Sequence, residues 1–373
     1  MKRWLSLLIL FLLCLEGGAV CASEITFQSG YHYDWWKNDD SESGNQQFVP
    51  VQIDGVGDDF SVRLLTAFAS TKSDLDDVGD SRLSSLVDTK VNLSYGVVDK
   101  LPVNLLFGLD VNLPTGEADL DAKDVLIVTD PDLVSIAQHG EGFNVNPTIS
   151  MTKEWANYGA GLAAGFLWRG EYDYSIDFQN YDPGEIAYLT GDVRYYFSDT
   201  DLVRLYGDYG TFSKDKLDDD DFYREADFFL VGAEGRRLMG DWETRLNVKG
   251  VFRGKSEFRE EVSNLKKESK EGYGDEYVAD LLFSYNYSEK VRISPFLQLL
   301  YVDDNKYDSQ SALYIGERKK YSIGCSLKRV LTDNLNLQLM VSLFDMEDEQ
   351  GWLATDDVDY RGHSFMLQFV GTL

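Results

Sequence analysis

The chain has 373 residues and a formal charge of −29, which excludes a basic nucleic-acid-binding surface and makes nucleic acid no expected partner. With 7 prolines and no Pro/Gly/Ser-rich stretch, it offers no linker at which to divide it. After the leader no run of 18 apolar residues occurs, so a helical membrane protein is excluded, while 22 Tyr and 21 Phe favour strands.

At the start, Lys2 and Arg3 precede the apolar run Leu5 to Leu15, and Val20-Cys21-Ala22 is a small-residue cleavage site before Ser23. This is the pattern of a cleavable signal peptide over 1–22, leaving a single domain over 23–373. The run is shorter than the roughly 20 residues a spanning helix needs. Cys21 raises a lipoprotein alternative, which bulky Val20 fits poorly. Cys14 and Cys21 depart with the leader on this reading. Cys325 then stands alone, with no intrachain disulfide and no cysteine zinc site.

From here the period is two. Strands are expected over 24–36 and 46–54, joined onward by a tight turn at Asp54-Gly55-Val56-Gly57, and then over 58–70. Farther on, Val103, Leu105, Phe107, Leu109, Val111 and Leu113 alternate with Asn104, Leu106, Gly108, Asp110 and Asn112. Trp242 to Phe252 and Leu335 to Leu343 repeat the pattern, as do Phe365, Leu367, Phe369, Gly371 and Leu373 at the end. Strict alternation over ten or more residues is strand. The runs are about 11 to 14 residues long, against about 5 or 6 in globular sheets. In the stretch 223–237 either Phe228 and Leu230 or Phe229 and Val231 can form the apolar face.

Short turns (Asp99-Lys100, Ala156-Asn157, Ser198 to Asp201, Leu238 to Asp241, Ser288-Glu289, Leu331 to Asn334) alternate with long polar loops over 71–82, 114–142, 173–184, 214–222, 254–273, 304–315 and 347–359. That alternation is the plan of an outer-membrane barrel, with turns in the periplasm and loops outside. Parity along the chain requires sixteen strands, or fourteen if 24–36 and 46–54 are no pair. The expected fold is therefore all-β, a transmembrane antiparallel barrel in a Gram-negative outer membrane. Trp35, Trp36, Trp155, Tyr158, Trp168, Tyr172, Tyr285, Tyr287 and Tyr301 fall near strand ends, where rings suit the headgroup level. Expected partners are outer-membrane lipid and lipopolysaccharide, the outer-membrane insertion machinery, which reads a terminal apolar strand, and small-molecule solutes. No cofactor is called for.

Alternation assigns Arg63, Lys90, Arg169, Arg194, Arg204, Arg245, Lys249, Arg253, Arg292 and Lys328 to the lumen, with Asp88, Asp110, Asp192, Asp208, Glu243 and Asp280. A cationic excess in a narrow passage favours anions; paired, hydrated wall charges are the competing reading. Outer loops are acidic: Asp218, Asp219, Asp220 and Asp221 are consecutive, and Asp345 to Asp359 carries no Lys or Arg. Such carboxylates could take divalent cations, but no dedicated calcium spacing occurs, and a solvated acidic face is the favoured reading. Loop 114–142 contains Val125-Leu126-Ile127-Val128 and Leu133-Val134-Ser135-Ile136. Exposed apolar runs need cover, so the loop is expected either to fold into the barrel and narrow it or to pack over the rim. No catalytic residues are assigned. Gly79-Asp80-Ser81 matches only the start of a serine-esterase motif, His139 with Glu141 and nearby acids could form a rim hydrolase site, and His363, where the last strand meets the outer surface, is expected to be structural.

The stretch Tyr95-Gly96-Val97-Val98-Asp99-Lys100-Leu101-Pro102-Val103, followed by Val111-Asn112-Leu113-Pro114-Thr115-Gly116-Glu117, resembles the outer-membrane transporter barrels of the meta-pathway phenol-degradation family over about 25 residues. The resemblance implies passage of small hydrophobic or aromatic molecules and brings no catalytic residues. Leu106, Leu167, Phe296 and Leu300, inward by alternation, suit such solutes, whereas the basic lumen suits polar or anionic ones. The expected activity is passive, porin-like diffusion of small solutes with anion preference. A transporter of hydrophobic or aromatic molecules with a plugged lumen and a non-conducting structural or adhesion barrel are the alternatives.

Overall fold

The structure is a computed structural model that describes residues 23–75, 79–127, 129–176, 178–261, 264–350 and 356–373. The expected signal peptide over 1–22, with Cys21, lies outside them. Strands follow in the order β1 (Glu24–Asn38), β2 (Ser43–Val56), β3 (Phe60–Leu75), β4 (Gly79–Leu86), β5 (Thr89–Val97), β6 (Asn104–Leu113), β7 (Asn144–Glu154) and β8 (Tyr158–Arg169). After the short β9 (Tyr181–Asp182) come β10 (Ile186–Tyr196) and β11 (Asp201–Phe212), then the short β12 (Asp215–Leu217) and β13 (Asp220–Arg224). β14 (Phe228–Met239) and β15 (Trp242–Arg253) precede the short β16 (Glu257–Glu261) and β17 (Asn264–Lys267). The chain ends with β18 (Glu276–Ser288), β19 (Val291–Val302), β20 (Arg318–Thr332), β21 (Leu335–Asp348) and β22 (Val358–Thr372).

The long strands form one antiparallel wall. β4 and β5 lie end to end on β3: Phe60 to Leu65 pairs with Tyr95 to Lys90, and Phe68 to Leu75 with Leu86 to Gly79. They are two halves of one crossing, so the wall has sixteen strands. β1 and β22 pair from Thr26↔Thr372 to Asn38↔Tyr360 and close the cylinder. The fourteen-strand alternative fails because β1 and β2 are a full pair, from Glu24↔Val56 to Lys37↔Ser43. Closure gives every wall strand a neighbour on both sides, the condition for crossing lipid without unsatisfied backbone groups.

Directly paired residues share a face of a sheet, so register separates the two sides of the wall. Phe107, Ile149, Leu162, Leu189, Leu205, Leu246 and Phe369 lie on the outer face and are exposed, forming the apolar band lipid requires. In β14 the ambiguity resolves in favour of Phe229 and Val231, which are exposed, whereas Phe228 pairs with Arg253 on the inner face.

Several boundaries differ from expectation. The loop placed at 71–82 is mostly wall, since β3 continues to Leu75 and β4 restarts at Gly79. Asp54, Gly55 and Val56 stay in the β2 ladder, opposite Arg63, Val62 and Ser61; the turn falls one step later, where Gly57 N donates to Phe60 O at 2.8 Å. The loops over 173–184, 214–222 and 254–273 contribute a second sheet outside the wall, ordered β17-β16-β13-β12-β9. Its Asp218-Asp219 turn has φ of 52° and 66°, the type I′ pattern that matches strand twist in a two-residue hairpin.

The buried apolar core lies inside the bore, at its outer end. Trp36, Met346, Val358 and Tyr360 from the wall enclose Leu133 and Val134 from loop 114–142. Burying such a side chain contributes about 1.5–3 kcal/mol each. Trp36, placed among the girdle aromatics by sequence, therefore points inward and is 1% exposed. Trp155, Tyr158, Trp168 and Tyr287 are exposed near strand ends, as a girdle requires.

Candidate functional site: the bore and the loop that crosses it

Loop 114–142 leaves the wall between β6 and β7 and reaches β20, β21, β22 and β1, nearly across the cylinder. Three groups of contacts fix it. At its far side, the Arg318 guanidinium, 2% exposed, donates to Asp348 at 2.6 Å through both Nε and Nη2, and Nη1 donates to Asp130 at 2.8 Å and Asp132 at 2.9 Å. The Lys320 ammonium donates to the Asp132 carbonyl. Next, backbone N–H groups of Ser135 and Ile136 donate to Asp34 (3.0 Å) and Gln46 (2.7 Å), both buried wall residues. At its base, the buried Asp88 carboxylate accepts from Gly116 N (2.8 Å), Glu141 N (2.7 Å) and Asn112 Nδ2 (2.7 Å).

His139 belongs to this anchorage. It is 3% exposed, its Nδ1 lies 2.8 Å from Ser85 Oγ and its Nε2 3.4 Å from Thr71 Oγ1. Burial lowers its pKa, which keeps the ring neutral. With both ring nitrogens facing hydroxyls and no carboxylate on either, His139 does not combine with Glu141 as a rim hydrolase pair.

The strand charges singled out by alternation share one face by register; Asp88 lies between β4 and β5. Asp54↔Arg63↔Asn92↔Asp110↔Asn146 is one continuous row across strands. Arg194↔Arg204↔Glu234↔Asn247↔Asp280 is another. The inner face is identified by Asp34, Trp36 and Gln46, which lie on it and contact the loop. Most of its cations are held by neighbouring carboxylates. Arg63 Nε lies 2.5 Å from Asp54, Arg194 Nε 2.8 Å from Asp192, and Arg204 Nε 3.5 Å from Asp192. Glu243 collects Arg245 at 3.0 Å, Arg292 at 2.5 Å and Arg236 at 3.3 Å. Arg253 lies 3.5 Å from Glu276, and Arg169 lies 3.7 Å from Asp215. Asp110 accepts from Asn92 at 2.5 Å and Asn146 at 3.2 Å. Lys90, Lys249, Lys328 and Asp208 form no ion pair among the described residues.

The acidic outer segments are dispersed. Asp218 accepts from Asn180 at 2.9 Å, Asp220 from Arg259 at 2.8 Å and Asp221 from Lys214 at 2.6 Å. Among the described residues no three His, Cys, Asp or Glu side chains converge on a position for a metal ion. Asp348, counted by sequence with the acidic loop, is instead the buried wall partner of Arg318.

The crossing loop leaves space on both sides of itself. Above the inner wall is a cavity of about 400 Å³ walled by aromatic rings, with Glu141, Asn144, Arg169 and Glu225 on its surface. Below it is a cavity of about 390 Å³ that includes Arg63, Leu65, Lys90, Asp110 and Leu167. Glu141 and Asn144 line both. A third, of about 410 Å³, lies between the loop residues Asp130 and Asp132 and the wall residues Arg253, Glu276 and Arg318. Sequence reasoning missed Arg318, Arg236 and the tyrosines of the mouth. Arg318 begins its strand beside a polar loop, where alternation has no reach, and Tyr172, near a strand end, is expected in the girdle but lines the mouth.

A closed sixteen-strand wall, apolar outside and charged inside, defines a transmembrane β-barrel of the outer-membrane type. No protein-family model matches the chain, and no curated protein matches it. Among solved structures it is similar to OccK7 of Pseudomonas aeruginosa (10% identity, TM-score 0.48, covering 94% of this chain and 98% of that one) and to OccAB1 of Acinetobacter baumannii (11%, 0.47, 94% and 96%). A Pseudomonas aeruginosa FadL homologue is similar at 7% identity and TM-score 0.44, covering 93% and 90%. These likenesses are remote, and the resemblance to the meta-pathway transporters remains confined to its short motif.

Proposed function

We propose that the protein is a passive channel for small solutes across the outer membrane, with a preference for anions set beneath the crossing loop. The observation that carries this reading is the lower cavity. Arg63 keeps its side chain largely open despite its bond to Asp54, and Lys90 has no ion-pair partner among the described residues. Of the two carboxylates lining that cavity, Asp110 is engaged by two asparagine amides, and Glu141 stands where it meets the mouth cavity, lining both. A cationic surface in a low-dielectric passage raises the local concentration of anions. Membrane lipid with lipopolysaccharide, and the insertion machinery reading the β22 strand, are the partners proposed for the barrel.

The test is single-channel recording of the refolded barrel in a planar bilayer under a salt gradient. Open steps with an anion-selective reversal potential, shifted toward cations by Arg63→Glu with Lys90→Glu, are expected. Cation selectivity that the double variant leaves unchanged would move control to the acidic mouth. A folded barrel without open steps would favour a plugged transporter of hydrophobic solutes, a reading that the crossing loop and the aromatic mouth support.

A further inference from the structure

The mouth cavity is built unlike the passage beneath it. Tyr172, Tyr174 and Tyr181 pack mutually edge to face, with ring centroids 5.7–6.5 Å apart and planes at 61–78°. Phe178 and Phe222 form a second edge-to-face pair at 6.1 Å, and Tyr223 completes the wall. These rings come from three separate segments, the loop after β8, the strand β9 and the strand β13, so the outer sheet assembles the cavity. Burial raises the phenol pKa values, that of Tyr172 to about 12, and Tyr181 and Tyr223 move the same way. The rings are therefore neutral phenols with electron-rich faces.

Charge around the cavity is unevenly spent. Asp215 accepts from Tyr181 Oη at 2.5 Å and Gly184 N at 2.7 Å, and Arg169 lies 3.7 Å away. Arg169 also donates through Nε to the Gly184 carbonyl at 2.6 Å. These two charges offset each other. Glu141 and Glu225 also line the cavity, and neither carboxylate accepts a hydrogen bond or forms an ion pair among the described residues. Burial pushes the Glu225 pKa up, with Arg253 and Arg169 pulling against it from a distance. Two carboxylates without partners beside a tyrosine wall are an arrangement that lacks a cation. Aromatic faces attract a cation within about 6 Å of the ring centroid, and a volume of about 400 Å³ is at the small end of ordinary ligand pockets.

We infer that the mouth cavity is a binding site for a small organic cation, an ammonium or guanidinium on a compact apolar body, held between the tyrosine rings and the carboxylates of Glu141 and Glu225. A neutral aromatic solute would fill the rings and leave both half-buried carboxylates without a partner. An anion would meet Arg169 already engaged and two like charges. The site stands on the mouth alone and is independent of whether the bore conducts.

The test is isothermal titration calorimetry on the refolded, detergent-solubilised protein with three probes that share a phenyl ring and differ in charge: benzyltrimethylammonium, benzyl alcohol and benzoate. Binding of benzyltrimethylammonium, at least tenfold tighter than either other probe, is expected. Glu225→Gln and Glu141→Gln should each weaken it about tenfold, since each removes one carboxylate from a partly dry site. Tyr172→Leu should weaken it with the carboxylates intact. Folding of each variant is checked by heat-modifiable migration in SDS gels. Equal binding of benzyl alcohol, or affinity for the cation that both glutamine variants leave unchanged, would overturn the assignment, as would absence of binding by the folded wild type.

Discussion

Removing the Arg318 cation should release the loop from the bore. In Arg318→Met, Asp348 would remain buried, and Asp130 and Asp132 would face it with only the Lys320 ammonium nearby to balance the three carboxylates. Taking one partner from a buried ion pair costs about 3–5 kcal/mol. Only one of the two loop positions bears that cost in full, because Asp130 and Asp132 reach water when the loop swings out. At about 1.4 kcal/mol per factor of ten, a loss of ~4 kcal/mol shifts docking by roughly a thousandfold. The apolar contacts of Leu133 and Val134 oppose the release. Single-channel conductance should rise toward that of a variant lacking 120–138, which sets the ceiling. Adding Asp130→Asn, Asp132→Asn and Asp348→Asn to Arg318→Met removes the repulsion, and conductance should fall back. If Arg318→Met folds and conducts like wild type while the deletion conducts more, the ion cluster is not what holds the loop.

Asp88→Ala leaves Gly116 N and Glu141 N without their acceptor, a loss of about 1–3 kcal/mol for each group left buried; protease should then cut within 114–142 faster than in wild type, and equal rates would refute the anchoring role. His139 has a pKa below its ordinary value of 6.5 through burial, so the undocked loop takes up a proton first as pH falls. Docking is then fully stable above about 6.5 and weakens as pH drops from there toward the lowered pKa; conductance should rise between pH 7.5 and 5 in wild type and not in His139→Gln, and a flat wild-type profile would discard the idea. Leu246→Arg puts a charge on the lipid face, where it costs about 2–4 kcal/mol near the midplane, while Asn247→Arg faces the bore. Urea unfolding in vesicles should show a loss for the first alone, and equal losses would mean that the register is wrong.

What could be read from the chain follows the range of the forces involved. Alternation in Trp242 to Phe252 or Leu335 to Leu343 reports a two-sided wall because lipid and water impose opposite demands on successive residues. Strand number and closure follow from it by parity. The mouth obeys other rules. β12 and β13 are three and five residues long, too short for periodicity, and carry aspartates that strands usually avoid. β13 is tied to β16 by cross-strand pairs, Arg224 with Glu257 at 3.3 Å and Arg259 with Asp220 at 2.8 Å, and those partners are tens of residues apart. The apolar runs of loop 114–142 did signal that something must cover them. Which wall residues do so, Trp36 and Met346 among them, depends on closure through β1 and β22, a contact between the two ends of the barrel.

The arrangement of charge along the bore also explains why counting signs in a sequence is a poor guide to selectivity. Glu243 engages three arginines and Asp192 two, so the surplus of wall cations is largely neutralised where it is densest. A permeating ion responds to the charges that remain open. In the lower cavity these are Arg63, with its exposed side chain, and Lys90, while Lys249, Lys328 and Asp208 elsewhere on the inner wall are likewise outside any ion pair among the described residues. Above the loop the open charges are Glu141 and Glu225. Glu141 lines both cavities, and its backbone N–H is fixed by Asp88 at the foot of the loop. The residue at which the sign of the path reverses is thus tied to the segment that narrows it. Loosening the loop at Asp88 should therefore change selectivity as well as conductance, whereas releasing it at Arg318, on the far side of the bore, should act mainly on conductance.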